Sequence, residues 1–266
     1  MTKMSSLTVV GSGIRFMSHL TIEAKAVIEA ADKILYLVND PAMRAWLLAR
    51  HPEAESLEKA YYDYPKRASA YQAMTRTILQ ALECGRHICV VLEGHPGVFA
   101  RPALEAVIQA RLAGHTAVML PGISADAYLF SELQIDPGSA GCQSYEATDF
   151  LIHRRAFDGC SHLLLWQVSM IGILTRHDAH DHRRGTQLLV ERLGEVYPDS
   201  HAVTLFEGSQ YPHIASRIEK CPLKNLANAG ISGMTTLYIP PARKPPTDMR
   251  MLQQLGIMEV HAKTDV

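Results

Sequence analysis

The sequence predicts an α/β protein, and three observations predict it. Short aliphatic and β-branched runs alternate with stretches of helical spacing through the first 135 residues. The runs are continuously apolar, as in strands buried on both faces. They end in turns rich in Gly and Pro. Together these observations predict a mainly parallel sheet covered on both faces. Leu7-Thr8-Val9-Val10 is the first strand and runs into Gly11-Ser12-Gly13. Residues 20–31 are helical, with Leu20, Ala24, Ile28 and Ala31 on one face, Thr21 as cap and Glu23 in the first turn. Ile34-Leu35-Tyr36-Leu37-Val38 is the second strand. A helix over residues 70–83 leads to the strand Ile88-Cys89-Val90-Val91-Leu92, which ends at Glu93-Gly94-His95-Pro96-Gly97. Pro102 suits the first turn of a helix over residues 102–113. The strand Thr116-Ala117-Val118-Met119-Leu120 ends at Pro121-Gly122, and residues 125–133 return to helix.

The second half is less regular. Strands are expected over residues 162–168, 201–206 and 237–239, and residues 177–194 are polar, then helical. The turn-rich joint Asp136-Pro137-Gly138-Ser139, with Gly141, divides the chain into domains at residues 1–135 and 136–242. An arm follows over residues 243–266, with Lys244-Pro245-Pro246 near its start.

Charge narrows the function. Lys and Arg total 26 against 27 Asp and Glu, so the chain lacks the basic excess of a dedicated nucleic-acid or anionic-membrane binder. The five cysteines form no CxxC pair, which argues against a zinc knuckle or a disulfide framework. No apolar run approaches the roughly 18–20 residues of a membrane span, and no signal-peptide core is present. The expected compartment is the reducing cytoplasm, with neither nucleic acid nor membrane as partner.

Four segments carry candidate chemistry. Gly11-Ser12-Gly13 lets backbone approach a ligand, or is simply a tight turn; Phe16 stands where a dinucleotide fingerprint needs its third glycine. Gly94-His95-Pro96-Gly97-Val98-Phe99 and Pro121-Gly122-Ile123-Ser124-Ala125 follow successive strands, where α/β sheets bind ligands. Tyr61, Tyr62, Tyr64 and Tyr71 surround Arg67, either as an aromatic–cation surface cluster or as groups that polarise an oxygen. His177, Asp178, His180, Asp181 and His182 form a short polar stretch. With Arg183-Arg184 alongside, it reads as a solvated helix start rather than a metal site.

The order of these blocks resembles the tetrapyrrole methylase superfamily: Val9-Val10-Gly11-Ser12-Gly13, then Gly94-His95-Pro96, then Pro121-Gly122-Ile123-Ser124-Ala125. Three stretches look like the borosin enzymes in particular. They are Gly94-His95-Pro96-Gly97-Val98-Phe99, Gln143-Ser144-Tyr145-Glu146-Ala147-Thr148-Asp149-Phe150-Leu151, and Leu165-Trp166-Gln167-Val168. The tyrosine segment with Arg67 and Tyr71 fits the same group.

The resemblance implies two α/β domains with a cofactor cleft between them. It also implies S-adenosylmethionine as methyl donor and N-methylation of backbone amides in a ribosomally made peptide. The implied cofactor contacts are Ile14, Glu93, His95, Val98, Phe99, Ser124, Ala125, Gln167, Leu205 and Thr235. No metal is required. The implied assembly is a homodimer binding two precursor peptides. Residues 251–266 lack the long aliphatic stretch of a fused acceptor, so a separate peptide bound in trans is expected. Glu93 stands where the resembled enzymes typically carry tyrosine. The alternatives are a methyltransferase acting on a tetrapyrrole-like small molecule and a catalytically impaired cofactor-binding module.

The chemistry assigns roles within that frame. A peptide nitrogen shares its lone pair with the carbonyl, so methylation needs loss of the proton and stabilisation of charge on oxygen. Arg67 suits the oxygen, because its charge is permanent. Tyr71, one helical turn further on, is the candidate base or proton relay, since a guanidinium nearby favours the ionised phenol. Tyr61 is the candidate to position the peptide, and Glu93 to attract the sulfonium or act as base.

Overall fold

The structure, a computed structural model, describes residues 5–84, 86–173 and 181–257. The first apolar run forms β1 (Ser6–Gly11), followed by α1 (Ile22–Ala30), whose first turn is capped by the Thr21 hydroxyl. Then come β2 (Lys33–Leu37), α2 (Pro41–Arg50), β3 (Glu55–Ser56), α3 (Lys59–Asp63) and α4 (Arg67–Leu82). The half closes with β4 (His87–Leu92), α5 (Arg101–Leu112), β5 (Thr116–Met119) and α6 (Ala125–Leu133). Helix α2 has a sequence signal: Asp40 accepts hydrogen bonds from the Ala42 and Met43 amides, and Pro41 fills the first position. The remainder holds α7 (Pro137–Ala140), β6 (Cys142–Glu146), α8 (Ala147–Ile152), β7 (His162–Trp166), α9 (Arg183–Leu193) and β8 (Ala202–Glu207). It ends with β9 (Arg217–Pro222), β10 (Thr236–Ile239) and α10 (Met249–Gln254).

Two five-stranded sheets result. The first has the order β3-β2-β4-β1-β5, with every pairing parallel. Its strands alternate between two apolar layers. Leu7, Val9, Ile88, Val90 and Leu92 face α4 and α5, while Val10, Cys89 and Val91 face α1 and α2. Both faces are therefore buried, which is why the runs are continuously apolar. The second sheet has the order β6-β7-β10-β8-β9, and only β6–β7 is parallel. Leu163, Leu165, Val203, Leu205, Leu237 and Ile239 face α8, α9 and a 3₁₀ turn over Leu223–Asn228. Leu164, Trp166, Phe206 and Tyr238 face the opposite way, onto Tyr128 and Leu129 of α6. So α6, expected as part of the first unit, packs against the second sheet.

The expected strand over residues 162–168 stops at Trp166, because Gln167 turns into the left-handed region (φ 56°) and a 3₁₀ turn takes over at Val168. Among the described residues no helix is long and apolar enough to cross a membrane.

Candidate active site

Parallel pairing brings the carboxyl ends of β1, β2, β4 and β5 to one edge of the first sheet, where open α/β sheets bind ligands. The turn after β4 is held against the turn after β1. The Gly94 amide donates to the Gly13 carbonyl at 3.0 Å, and the Gly13 amide returns a bond to the Gly94 carbonyl at 3.3 Å. A Cβ on Gly11 would lie 2.1 Å from the Gly94 carbonyl oxygen. The glycines of Gly11-Ser12-Gly13 therefore serve the packing of two loops on each other. Gly94 itself sits at φ +70°, which lets the chain swing outward into Val98 and Phe99.

Beyond this turn lies a cavity of about 200 Å³ between the two sheets. Ile14, Glu93, His95, Val98, Phe99, Ser124, Ala125, Gln167 and Thr235 line it, together with Asn39, Trp166 and Met234. Nine of the ten residues expected to contact a cofactor thus surround one space. Leu205 does not: it is fully buried in the other layer of the second sheet, beside Leu237. Strand alternation sends its neighbour Phe206 toward α6 instead. The Phe99 and Trp166 rings meet at 5.6 Å across the cleft. Phe99 and Gln167 both hold positive φ without being glycine, a costly geometry that recurs at ligand clamps.

The cavity continues into two more, of about 290 and 280 Å³. They share Leu37, Asn39, Tyr61 and Tyr71 with each other, and reach the first through Asn39, Glu93, Phe99 and Gln167. Helix α4 starts at Arg67, three residues before the expected helix, so Arg67 and Tyr71 stand one turn apart on the same cavity wall. The Arg67 guanidinium donates to the Gln167 amide oxygen at 3.3 Å, linking the first half to the second. The Tyr61 and Tyr71 rings meet edge to face at 6.2 Å and pack on the core beneath α4. The tyrosine segment is thus divided: Tyr61, Tyr64 and Tyr71 line the cleft, whereas Tyr62 is 67% exposed.

Glu93 is held at both carboxylate oxygens. One accepts from the Asn39 amide at 3.0 Å and the other from the Gln210 side chain at 3.2 Å. Among the described residues it is the only acidic side chain lining the first cavity, and no Lys or Arg lines it. Nearby, burial pushes the Glu207 carboxyl up. Hydrogen bonds from Thr235 and Ser232 and the Arg217 guanidinium outweigh that, leaving it below its ordinary value.

Sequence reasoning missed Asn39, Trp166 and Gln210. Asn39 follows the end of β2, a signal that marks the strand-end edge. Trp166 lies within the recognised Leu165-Trp166-Gln167-Val168 block. Gln210 carries no sequence signal. Of the histidine–aspartate stretch, His177, Asp178 and His180 lie outside the described residues, while Asp181 accepts from the Arg183 amide and His182 precedes α9. Among the described residues no group of three or more His, Cys, Asp or Glu is arranged to hold a metal.

The fold and site define a two-sheet α/β protein with a ligand cleft at the strand ends. Residues 6–227 match the family described as Tetrapyrrole (Corrin/Porphyrin) Methylases, and the chain belongs to that family. Uroporphyrin-III-C-methyltransferase from Thermus thermophilus shares the fold, with TM-score 0.63 and 19% identity over 92% of this chain and 98% of that one. Among curated relatives, the methyltransferase/ribosomally synthesized cyclic peptide gymnopeptides precursor gymMA1 of Gymnopus fusipes is 37% identical over 257 residues. That match covers 95% of this chain and 61% of the relative. The corresponding dendrothelin A precursor dbihMA of Dendrothele bispora is 39% identical over 249 residues, 91% of this chain and 60% of that protein. The chain spans about three fifths of the length of these relatives.

Proposed function

We propose that this protein is a methyltransferase that uses S-adenosylmethionine to N-methylate backbone amides of a ribosomally made precursor peptide. The observation that carries the reading is one continuous cleft. It joins the guanidinium–phenol pair Arg67 and Tyr71 to an otherwise uncharged cavity whose single carboxylate is Glu93. Relatives whose names couple a methyltransferase with a ribosomally synthesized cyclic peptide precursor support the substrate class.

The donor set fits the cofactor. Ile14, Val98, Phe99 and Trp166 offer apolar surface, Ser124, Gln167 and Thr235 offer polar atoms, and Glu93 offers a negative charge to a cation. When bound, S-adenosylmethionine supplies an electrophilic methyl group carried on a sulfonium. The chain's own residues then manage the amide. Tyr61 and Tyr64 hold the peptide against the cleft wall. Tyr71 passes its own phenolic proton to solvent, and its phenolate oxygen accepts the proton leaving the amide nitrogen. The resulting charge spreads to the carbonyl oxygen, where Arg67 donates hydrogen bonds from a permanently charged, planar group. Gln167, bonded to Arg67, fixes the guanidinium toward the cofactor end.

The finer form of the proposal has the acceptor as a separate peptide, with two peptides bound by a homodimer. Leu104, Ile108 and Leu112 form an exposed apolar stripe on α5, which suits burial against a second copy. The test is incubation with methyl-labelled S-adenosylmethionine and an aliphatic peptide, read by mass spectrometry. Mass increments of one methyl located to backbone amides are expected. Label in a tetrapyrrole but in no peptide overturns the reading. A monomeric mass by light scattering, with and without peptide, overturns the assembly.

A further inference from the structure

A further groove, of about 400 Å³, lies outside the cleft described so far, between α4 and α5, and Tyr71 and Pro102 form its common wall with the cleft. The Thr75 hydroxyl donates to the Pro102 carbonyl at 3.1 Å, which pins the start of α5 to α4 and brings Arg101 and Arg76 to one groove. Both arginines are exposed, and among the described residues neither guanidinium is paired with a carboxylate. Glu105 also lines the groove, but its carboxylate accepts from the Gln109 side chain at 2.7 Å, and it forms no ion pair with Arg101 one turn away. The groove thus presents two permanent positive charges against one negative charge already hydrogen-bonded.

We propose that this groove binds an acidic side chain of the acceptor peptide, with Arg76 and Arg101 as the carboxylate clamp that sets which amide reaches Arg67 and Tyr71. The inference rests on the peptide N-methylation reading and deepens it. Guanidinium forks match carboxylates in geometry, and a pair of them favours an anion over a neutral amide. Helix geometry sets the register. Arg67 and Arg76 are nine residues apart on α4, an axial rise of about 13 Å combined with about half a turn of rotation, so their side chains leave opposite sides of the helix. A peptide joining them crosses the wall formed by Tyr71 and Pro102 and needs more residues than the about four that the axial rise alone would take. An acidic residue at one fixed offset from the methylated amide therefore sits in the clamp while the amide sits at Arg67. The clamp touches neither cofactor nor reacting atoms, so it acts on peptide binding and register rather than on the methyl-transfer step.

The experiment uses the full chain with S-adenosylmethionine and a series of aliphatic peptides, each with a single Glu moved one position at a time, beside Gln controls. Wild type should show its lowest KM for Glu at one fixed offset, longer than about four residues, from the modified amide. Moving the Glu should move the methylated position with it. In the double variant R76Q/R101Q the KM for that peptide should rise about tenfold, while kcat and cofactor affinity stay unchanged. The charge-reversed pair R76E/R101E should instead favour peptides with Lys in place of Glu. A KM indifferent to Glu position and to both variants, with methylation intact, overturns the clamp and leaves the proposed activity standing. Failure of wild type to methylate any peptide overturns the activity and the clamp with it.

Discussion

The two ends of the cleft are built in different ways. The acceptor end is nearly a single stretch of chain: Tyr61, Tyr64, Arg67 and Tyr71 lie within eleven residues, carried by α3, a short loop and the first turn and a half of α4. The cofactor end is assembled from the turns after β1, β2, β4 and β5, from the end of β7, and from residues 233–236 just before β10. One end is aromatic and carries both Arg67 and Glu58 on its wall, the other mixes apolar and uncharged polar side chains around Glu93. The comparison teaches that, under the proposed function, reaction chemistry would sit on one local element, whereas cofactor recognition would depend on the two sheets being correctly docked. Substitutions at the acceptor end should therefore change rate with little loss of stability, and those at the cofactor end should couple binding to folding.

The sharpest way to break that contrast is at Arg67. Arg67→Ala removes the donor to the developing oxygen charge and should slow single-turnover methyl transfer by about 10²–10³. Arg67→Lys keeps the charge but loses the fork, and should recover only part of the rate. Tyr71→Phe should slow transfer as well. Calorimetric cofactor affinity should stay near wild type in all three. Near-normal transfer by both Arg67→Ala and Tyr71→Phe would return the segment to a structural role.

At the other end, Gly11→Ala places a Cβ 2.1 Å from the Gly94 carbonyl oxygen, a contact that backbone alone must relieve. Chemical denaturation should show a loss of about 1–3 kcal/mol, and cofactor binding should weaken in parallel. Gly233→Ala is the control: it lies on the same cavity, but its added Cβ meets nothing within 4 Å, so stability should stay within about 0.5 kcal/mol.

Glu93 sharpens the comparison further, since it lines both the cofactor cavity and the one under Tyr61 and Tyr71. Glu93→Gln should weaken S-adenosylmethionine about fivefold and leave its uncharged demethylated product unaffected, as measured by calorimetry. Equal loss for both ligands would assign Glu93 to loop positioning through Asn39 and Gln210 rather than to charge recognition. Glu93→Tyr should preserve or raise activity if a phenol serves this position, and lower it if the carboxylate is used.

The smallest effect is expected at Glu207, behind Thr235. Its carboxyl is depressed in the folded protein, so its contribution is present above the unfolded carboxylate's pKa, near 4.5, and is lost as pH falls through the lower folded value. Glu207→Gln should reduce stability at neutral pH by about 1 kcal/mol and flatten that acid-side loss in thermal melts. An unchanged acid profile would show that the Thr235–Ser232–Arg217 network does not depend on charge.

The sequence by itself determined the first sheet and the placing of Arg67 beside Tyr71. Strands buried on both faces leave continuous apolar runs, and a guanidinium and a phenol four residues apart need only a helix to share a wall. Helix α2 was not among the expected elements, although Asp40-Pro41 is a local capping pattern that requires no distant partner. In the second sheet the apolar runs of β7, β8 and β10 were legible, whereas β6 and β9 hold only half-buried and exposed residues and give a weak hydrophobic signal. Tertiary structure decided how these strands pair and which faces they present. Leu205 and Phe206 are adjacent in sequence, and only the pleat and the docking of α6 decide which of them faces the cofactor side. The contacts Arg67–Gln167, Phe99–Trp166 and Glu93–Gln210 span 100, 67 and 117 residues. Their strength comes from side chains that meet only once both sheets are formed, and local propensity carries no record of such distant partners.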